Sequence, residues 1–104
     1  MTIEIGGIGK LVNPVVQGDA AIALQNLSSN NAQNKVTIAT AGAIPPLVAL
    51  LGDGTPGAKS NAAGALGNLA TNDENRVTIV QAGAIPPLVG MLTAPVPELQ
   101  ARAA

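Results

Sequence analysis

A segment of the sequence occurs twice, 41 residues apart. Residues 34–51 (NKVTIATAGAIPPLVALL) return as residues 75–92 (NRVTIVQAGAIPPLVGML), and 13 of the 18 positions are identical. Residues 20–27 return as residues 62–69 with 6 of 8 positions identical and a shift of 42. Internal similarity at a period of about 20 to 50 residues is typical of repeat proteins, whose units stack on one another. The chain is therefore predicted to be a tandem array.

The copies divide the chain into three unequal units. Residues 1–33 are predicted to be a partial, degenerate N-terminal repeat, residues 34–74 a complete repeat and residues 75–104 a repeat truncated at its C-terminal side. Too few residues separate Val12 from Ala20 for a full second helix, which is predicted to be shortened or merged with the third. Because about three stacked repeats are normally needed for stability, the sequence is interpreted as a fragment or an engineered piece of a longer array.

Three helices are predicted in the complete unit. A short helix at residues 34–40 ends before Gly42, because glycine readily adopts the left-handed conformation that closes helices. The Pro45-Pro46 pair fits the first turn of the second helix, where backbone N–H groups have no partner within the helix. The third helix is predicted at residues 58–70. It carries one apolar stripe at i, i+3, i+4 and i+7, formed by Ala62, Ala65, Leu66 and Leu69.

The connections between these helices have their own signals. Residues 52–57 (GDGTPG) contain four glycines or prolines and are predicted to form a loop. This loop is a poor match to a phosphate-binding loop, because it follows a helix and lacks the Gly-Lys-Ser/Thr ending. Residues 71–73 are predicted to end the third helix and cap the next unit. Asp73 and Glu74 are interpreted as capping residues at the start of that unit.

The composition excludes most catalytic chemistry. The chain has no cysteine, no histidine and no aromatic residue, so it lacks thiol nucleophiles, imidazole bases and the usual ligands of soft metals. A serine or threonine nucleophile would need Lys10, Lys35 or Lys59 as its base, and none of them stands in a recognisable catalytic constellation. We therefore predict a protein that is not an enzyme and that carries no cofactor and no metal.

Charge and hydropathy restrict the partners. The net charge is −1 and only five residues are basic, which provides no electrostatic surface for nucleic acid or anionic lipid. No apolar stretch approaches the roughly 20 residues of a membrane-spanning helix, and the first ten residues do not read as a signal peptide. The sequence predicts a cytoplasmic or nuclear protein that binds neither nucleic acid nor membrane.

The repeat unit resembles the armadillo repeat. Its first helix ends in Ala-Gly-Ala-Ile (41–44), its second begins with Pro-Pro-Leu-Val (45–48) and its third contains Ala-Leu-x-Asn-Leu (65–69). The resemblance covers nearly the whole chain and is closest in flavour to plant and protist armadillo arrays. It implies an all-α fold, a right-handed α-solenoid of three-helix repeats, with the third helices along a concave groove. The implied function is a non-catalytic scaffold that binds an extended peptide or a partner protein.

The resemblance also implies which residues line the groove. Peptide-binding members carry an asparagine near the end of each third helix, which bonds to the ligand backbone, and this position falls on Asn26 and Asn68. An amide offers both a donor and an acceptor, so it pairs with an extended chain whatever its side chains. Arg102 aligns with Asn61 and is expected beside it in the groove. Residues seven and four positions before each asparagine share its helical face: Asp19 and Ile22, and Asn61 and Gly64.

Two interpretations of the asparagines stay open. Each contacts a ligand, or each bonds a neighbouring loop and bridges adjacent repeats, since a buried amide needs a partner. Both roles are compatible. Nuclear-import receptors of this family carry a tryptophan four residues before the asparagine, where this chain has Ile22 and Gly64. Of the acidic residues only Asp19 is expected to face inward, so pockets for basic nuclear signals are predicted to be missing.

Self-association is the alternative to partner binding. A partial first repeat and a truncated last repeat leave apolar stripes without neighbours, and uncovered apolar surface drives association. The alternative function is a structural module that forms a homo-oligomer through its unpaired repeat ends, with helices exchanged between chains.

Overall fold

Six α-helices occupy residues 14–93, the part of the chain that the computed structural model describes. The connections between them are two or three residues long. The fold is all-α, as the sequence predicts. In chain order the helices are α1 (Pro14–Ser28), α2 (Ala32–Thr40), α3 (Ile44–Asp53), α4 (Pro56–Leu69), α5 (Asp73–Gln81) and α6 (Ile85–Thr93).

Asparagine caps begin α2 and α5, the first helices of successive repeats. The Asn31 side chain accepts a hydrogen bond from the Asn34 backbone N–H at 2.8 Å, and Asn72 does the same for Asn75 at 3.0 Å. These bonds satisfy N–H groups that have no partner within the helix. The capping role expected of Asp73 therefore belongs to Asn72. Asp73 lies in the first turn of α5, where its carboxylate favours the positive end of the helix dipole.

The ends of α2 and α5 require glycine. Gly42 and Gly83 follow them with φ of +90° and +87°, a conformation that strains any residue with a Cβ atom. The Gly42 N–H donates to the Ala39 carbonyl at 3.0 Å and helps to close the last turn of α2. The chain then turns directly into α3, whose first turn contains the two prolines. This part of the prediction is confirmed.

The connection between α3 and α4 is shorter than predicted. Helix α3 continues through Asp53 and α4 begins at Pro56, so only two residues of the expected six-residue loop lie outside helices. The Thr55 side chain accepts from the Ala58 N–H at 3.2 Å and caps α4, and Pro56 fits its first turn. Gly54 lies so close to the Leu50 carbonyl that a Cβ atom would come within 2.6 Å of it. Residues 52, 53, 56 and 57 of the predicted loop therefore belong to the ends of α3 and α4.

The core lies where α4 crosses α3. The predicted stripe of α4 is buried, and Leu50, Leu51 and Ala58 join the same cluster. Alanine at the contact positions lets the helices approach closely, which a core without aromatic side chains requires. Burial of the larger aliphatic side chains is worth roughly 1.5–3 kcal/mol each and is the main stabilising contribution.

Helices α1 and α4 pack along their length. Both are third helices, of the first and second units. Helix α1 is continuous from Pro14 to Ser28, so Pro14 begins a helix, and no separate second helix precedes the third within the described part of the first unit. The loose match at residues 6–12 lies outside the described residues. Helices α3 and α6, the second helices of adjacent units, also contact each other, so like helices stack in rows.

Candidate functional site

Two asparagines of α4 bond to the backbone of α1. Asn68 Nδ2 donates to the Gln25 carbonyl at 2.8 Å, and Asn61 Nδ2 donates to the Gly18 carbonyl at 3.3 Å. Donor and acceptor are 43 residues apart in both bonds. This constant shift means that α1 and α4 run in the same direction, in register, with the repeated positions side by side.

The Asn68 bond satisfies the end of a helix. Helix α1 ends at Ser28, so the Gln25 carbonyl is among the last four, which lack a backbone partner within the helix. That carbonyl accepts from Asn68 and from the Ser28 hydroxyl at 3.1 Å. Asn68 therefore bridges adjacent repeats, which was one of the two open interpretations of this residue.

Asn68 keeps part of its hydrogen-bonding capacity. Its side chain is half-buried, and its oxygen accepts no hydrogen bond from the described residues. Among these residues no side-chain nitrogen or oxygen is both buried and unbonded, so the Asn68 oxygen is reached by solvent. The amide that holds the two repeats together thus still has an acceptor that solvent reaches.

The predicted residues of α1 form one exposed row. Asp19, Ile22 and Asn26 are all exposed, and Ile22 leaves 42% of its surface open to solvent. At i, i+3 and i+7 they share a side of the helix. Neither Asp19 nor Asn26 bonds a described residue through its side chain. We call this row, together with Asn61, Gly64 and Asn68 of α4, the α1–α4 face.

Gly64 lies beneath a side chain of the preceding repeat. The amide group of Gln25 covers it so closely that any Cβ atom at position 64 would clash with Gln25. The position four residues before Asn68 is therefore filled from the neighbouring helix and not left as an open pocket. Arg102 lies outside the described residues. Contact between these residues and a ligand stays a prediction.

A second pair of asparagines, which the sequence analysis did not single out, also bridges helices. Asn75 Nδ2 donates to the Lys35 carbonyl at 3.2 Å, and Asn34 Nδ2 donates to the Leu27 carbonyl at 2.9 Å. Asn34 and Asn75 occupy equivalent positions of the repeat. The sequence contained one signal for this role, because asparagine occupies this position in both copies. An amide at the junction of two repeats needs a hydrogen-bond partner there.

A shallow apolar groove lies between α1 and α3. It encloses about 210 Å³ and is bordered by Ala20, Ala21 and Leu24 of α1 and by Pro46, Leu47 and Leu50 of α3. Gln17 adds the polar side chain at its edge. We call this feature the α1–α3 groove. Its lining carries no titratable group that would support catalysis.

Two other kinds of site find no support in residues 14–93. No group of three Asp or Glu side chains there is arranged to hold a metal ion. None of the helices in this range has the length and apolarity to cross a membrane by itself. By length and composition alone, α2 and α3 would pass only as a pair bent by 81°.

The family of the chain follows from its repeats. The family model described as Armadillo/beta-catenin-like repeat matches residues 31–71 and 72–104, which together are more than half of the chain. No curated protein matches the sequence. The first match contains α2, α3 and α4, and the second begins at the asparagine that caps α5. This chain is a member of the armadillo/beta-catenin-like repeat family, an all-α array of three-helix repeats.

Proposed function

We propose that the chain binds an extended segment of a partner protein across the α1–α4 face. Armadillo repeats generally mediate protein–protein interactions, and the proteins that carry them are generally non-catalytic scaffolds. The observation that carries the proposal is the pair Asn26 and Asn68. They occupy equivalent positions on two parallel helices, and both have amide groups that reach solvent.

The spacing of the two amides suits an extended chain. Packed helices lie about 8–10 Å apart, and an extended backbone advances about 3.3 Å per residue. Neighbouring asparagines would therefore bond backbone groups about three residues apart. Asn26 offers a complete amide, and Asn68 offers the acceptor and the N–H that Gln25 does not use.

The charge of the face favours backbone recognition. Asp19 is its one charged side chain among the described members, and Ile22 adds an apolar contact. A strongly basic peptide finds a single carboxylate there. The expected ligand is an extended segment of low charge with an aliphatic side chain opposite Ile22. The predicted cytoplasmic or nuclear location stays a prediction.

Substitution of Asn26 tests this function. Linear peptides of about twelve residues are selected from a random display library against the full chain, and their affinities are measured by fluorescence anisotropy. Asn26→Ala removes up to two amide bonds of roughly 0.5–1.5 kcal/mol each, so we expect about tenfold weaker binding.

Gln81→Ala is the matched control, because it removes an exposed amide from α5, away from the α1–α4 face. It should leave affinity unchanged. Peptides whose affinity is the same for the wild type and Asn26→Ala, or is lowered equally by both substitutions, would contradict the proposal.

We also propose that the chain is a homo-oligomer. The observation behind this second function is apolar exposure at both ends of the described array. Leu27 of α1 leaves 55% of its surface open and Leu92 of α6 leaves 85%. Uncovered side chains of this size favour association in water. Light scattering coupled to size-exclusion chromatography across a concentration series tests it, and a monomer throughout would contradict it.

A further inference from the structure

We infer that α6 of one copy docks in the α1–α3 groove of a second copy, so that copies associate head to tail. The inference rests on the proposed homo-oligomer and names the helices that form its interface. The template for this interface is the complete contact of the same kind between α3 and α4 within the described residues.

Helix α6 repeats α3, but no helix of the described residues covers it as α4 covers α3. Both helices begin with Ile-Pro-Pro-Leu-Val, yet three equivalent side chains differ strongly in exposure. In α3 they are 0%, 9% and 2% exposed, and in α6 they are 53%, 52% and 85% exposed. The pairs are Ile44 and Ile85, Val48 and Val89, and Leu51 and Leu92. The three exposed residues are named here the α6 stripe. Because α4 covers the equivalent residues of α3, a helix equivalent to α4 would cover the α6 stripe.

Helix α1 is the counterpart of α4, and its apolar residues are open to solvent where those of α4 are buried. Helix α4, which packs against α3, has five buried residues: Ala58, Ala62, Ala65, Leu66 and Leu69. At a shift of 42 their equivalents in α1 are at least partly open to solvent, and Val16 and Leu27 are 59% and 55% exposed. These equivalents, named here the α1 stripe, are Val16, Ala20, Ala23, Leu24 and Leu27. Helix α1 is thus equivalent to α4, and among residues 14–93 no helix equivalent to α3 covers it.

The α1–α3 groove has the position that the template demands. Within the chain, α3 contacts both α4 and α6. A copy of α6 placed on the α1 stripe of the next molecule would likewise contact α1 on one side and α3 on the other. The groove of about 210 Å³ lies between these two helices and is bordered by Ala20 and Leu24 of the α1 stripe.

The same docking places α1 of the second copy beside α4 of the first. In the existing α1–α4 contact the large Gln25 side chain covers Gly64. The equivalents in the new contact are Gly67 on α4 and Ile22 on α1, so the large and small residues are exchanged. Gly67 is exposed and a Cβ atom there would meet nothing within 4 Å, which leaves room for Ile22.

A hydrogen bond is available at the equivalent position. Asn68 donates to the Gln25 carbonyl inside the chain. Asn26 of the second copy is the equivalent donor, and the Gly67 carbonyl of the first copy is the equivalent acceptor. The Asn26 side chain has no described partner, so its amide is available for this bond.

A second copy is the occupant because one chain carries both halves of the contact. The interface joins different surfaces of the two partners, so each added copy presents a new α6 stripe or a new α1 stripe. Contacts of this kind produce open chains, or rings where the geometry closes.

Mixing two variants tests the inference. Val89→Lys/Leu92→Lys disables the α6 stripe, and Val16→Lys/Leu27→Lys disables the α1 stripe. All four residues are more than half exposed, so the fold should survive, as circular dichroism verifies. Each variant alone should be monomeric by light scattering. Their mixture should form a 1:1 dimer, because one intact stripe of each kind remains.

The control is Val36→Lys/Val77→Lys, which changes exposed valines of α2 and α5 outside both stripes and should oligomerise like the wild type. If the wild type oligomerises and either stripe variant alone still does so, the head-to-tail contact is wrong while the proposed homo-oligomer stands. A mixture that stays monomeric also overturns the inference. A monomeric wild type overturns both proposals.

Discussion

Asn68 joins two repeats at a point where the protein backbone is short of hydrogen-bond donors. Its amide N–H bonds the Gln25 carbonyl in the last turn of α1, while its oxygen faces solvent. The residue therefore serves stability with one end of its amide and is available to a ligand with the other. Asn26, at the equivalent position, has no such bond among the described residues.

The two asparagines are therefore expected to contribute to stability by different amounts. Asn68→Ala should lower the free energy of unfolding by about 1 kcal/mol, because it removes one inter-repeat hydrogen bond and leaves Gln25 with only the Ser28 hydroxyl. Asn26→Ala should change it by less than about 0.5 kcal/mol, as is usual for exposed positions. Urea denaturation followed by circular dichroism measures both. Equal losses for the two variants would show that Asn68 has no special role in joining the repeats.

Residue spacing predicted the α1–α4 face only in part. The periodicity of a helix places Asn61, Gly64 and Asn68 on one side of α4, and this much is a local property. That Gln25 covers Gly64, and that Asn61 and Asn68 turn toward α1, depends on the distance between two repeats. The sequence of one helix does not contain that distance, so the inter-repeat role of Asn68 was left open.

At the scale of the element, helix boundaries followed from capping chemistry. Gly42 and the two prolines after it marked the turn from α2 to α3 correctly, since their backbone preferences are intrinsic. The predicted loop at residues 52–57 was too long. Gly52 and Asp53 are exposed and have weak helix propensity, yet they remain in α3. The buried Leu50 and Leu51 precede them, and the Gly54 N–H closes the last turn on the Leu50 carbonyl at 2.9 Å.

Two glycine substitutions separate conformation from propensity. Gly42→Ala should destabilise the protein by about 1–2 kcal/mol, because φ of +90° strains a residue with a Cβ atom. Gly52→Ala should stabilise it by about 0.5–1 kcal/mol, because position 52 is helical and exposed and an added Cβ atom would meet no other atom within 4 Å. The comparison uses the same denaturation measurement. A stabilising Gly42→Ala would mean that the turn after α2 tolerates another geometry.

At the scale of the whole molecule, like helices stack in rows, and within residues 14–93 the apolar stripes of the first and last helices, α1 and α6, are uncovered. The stripe of α4 was predicted from its spacing and is buried, whereas the equivalent stripe of α1 is open. The same sequence pattern therefore has two environments in one chain. The position of a helix in the array determines whether its stripe is buried or open. For this reason the sequence predicted that uncovered stripes exist but did not identify the helices that carry them.

The α1–α4 face and the two stripes consist of different residues and offer different chemistry. The face offers amides and one carboxylate, which suit the backbone of an extended segment. The stripes offer aliphatic side chains, which suit a helix. Leu92 belongs only to the α6 stripe, so its substitution should weaken self-association and leave partner binding unchanged. Asn26 belongs to the α1–α4 face and also donates a bond in the inferred contact between copies, so its substitution should weaken both.

Chemical-shift mapping by NMR tests the central claim, partner binding on the α1–α4 face, most directly. A peptide selected against the full chain is titrated into the isotope-labelled protein, and the side-chain amide signals of asparagine are followed. If a partner binds on this face, the Nδ2 signals of Asn26 and Asn68 should shift together with the backbone signals of Asp19 and Ile22, while those of α5 stay in place. Largest shifts on α5 or on the α6 stripe, with Asn26 and Asn68 unchanged, would contradict it.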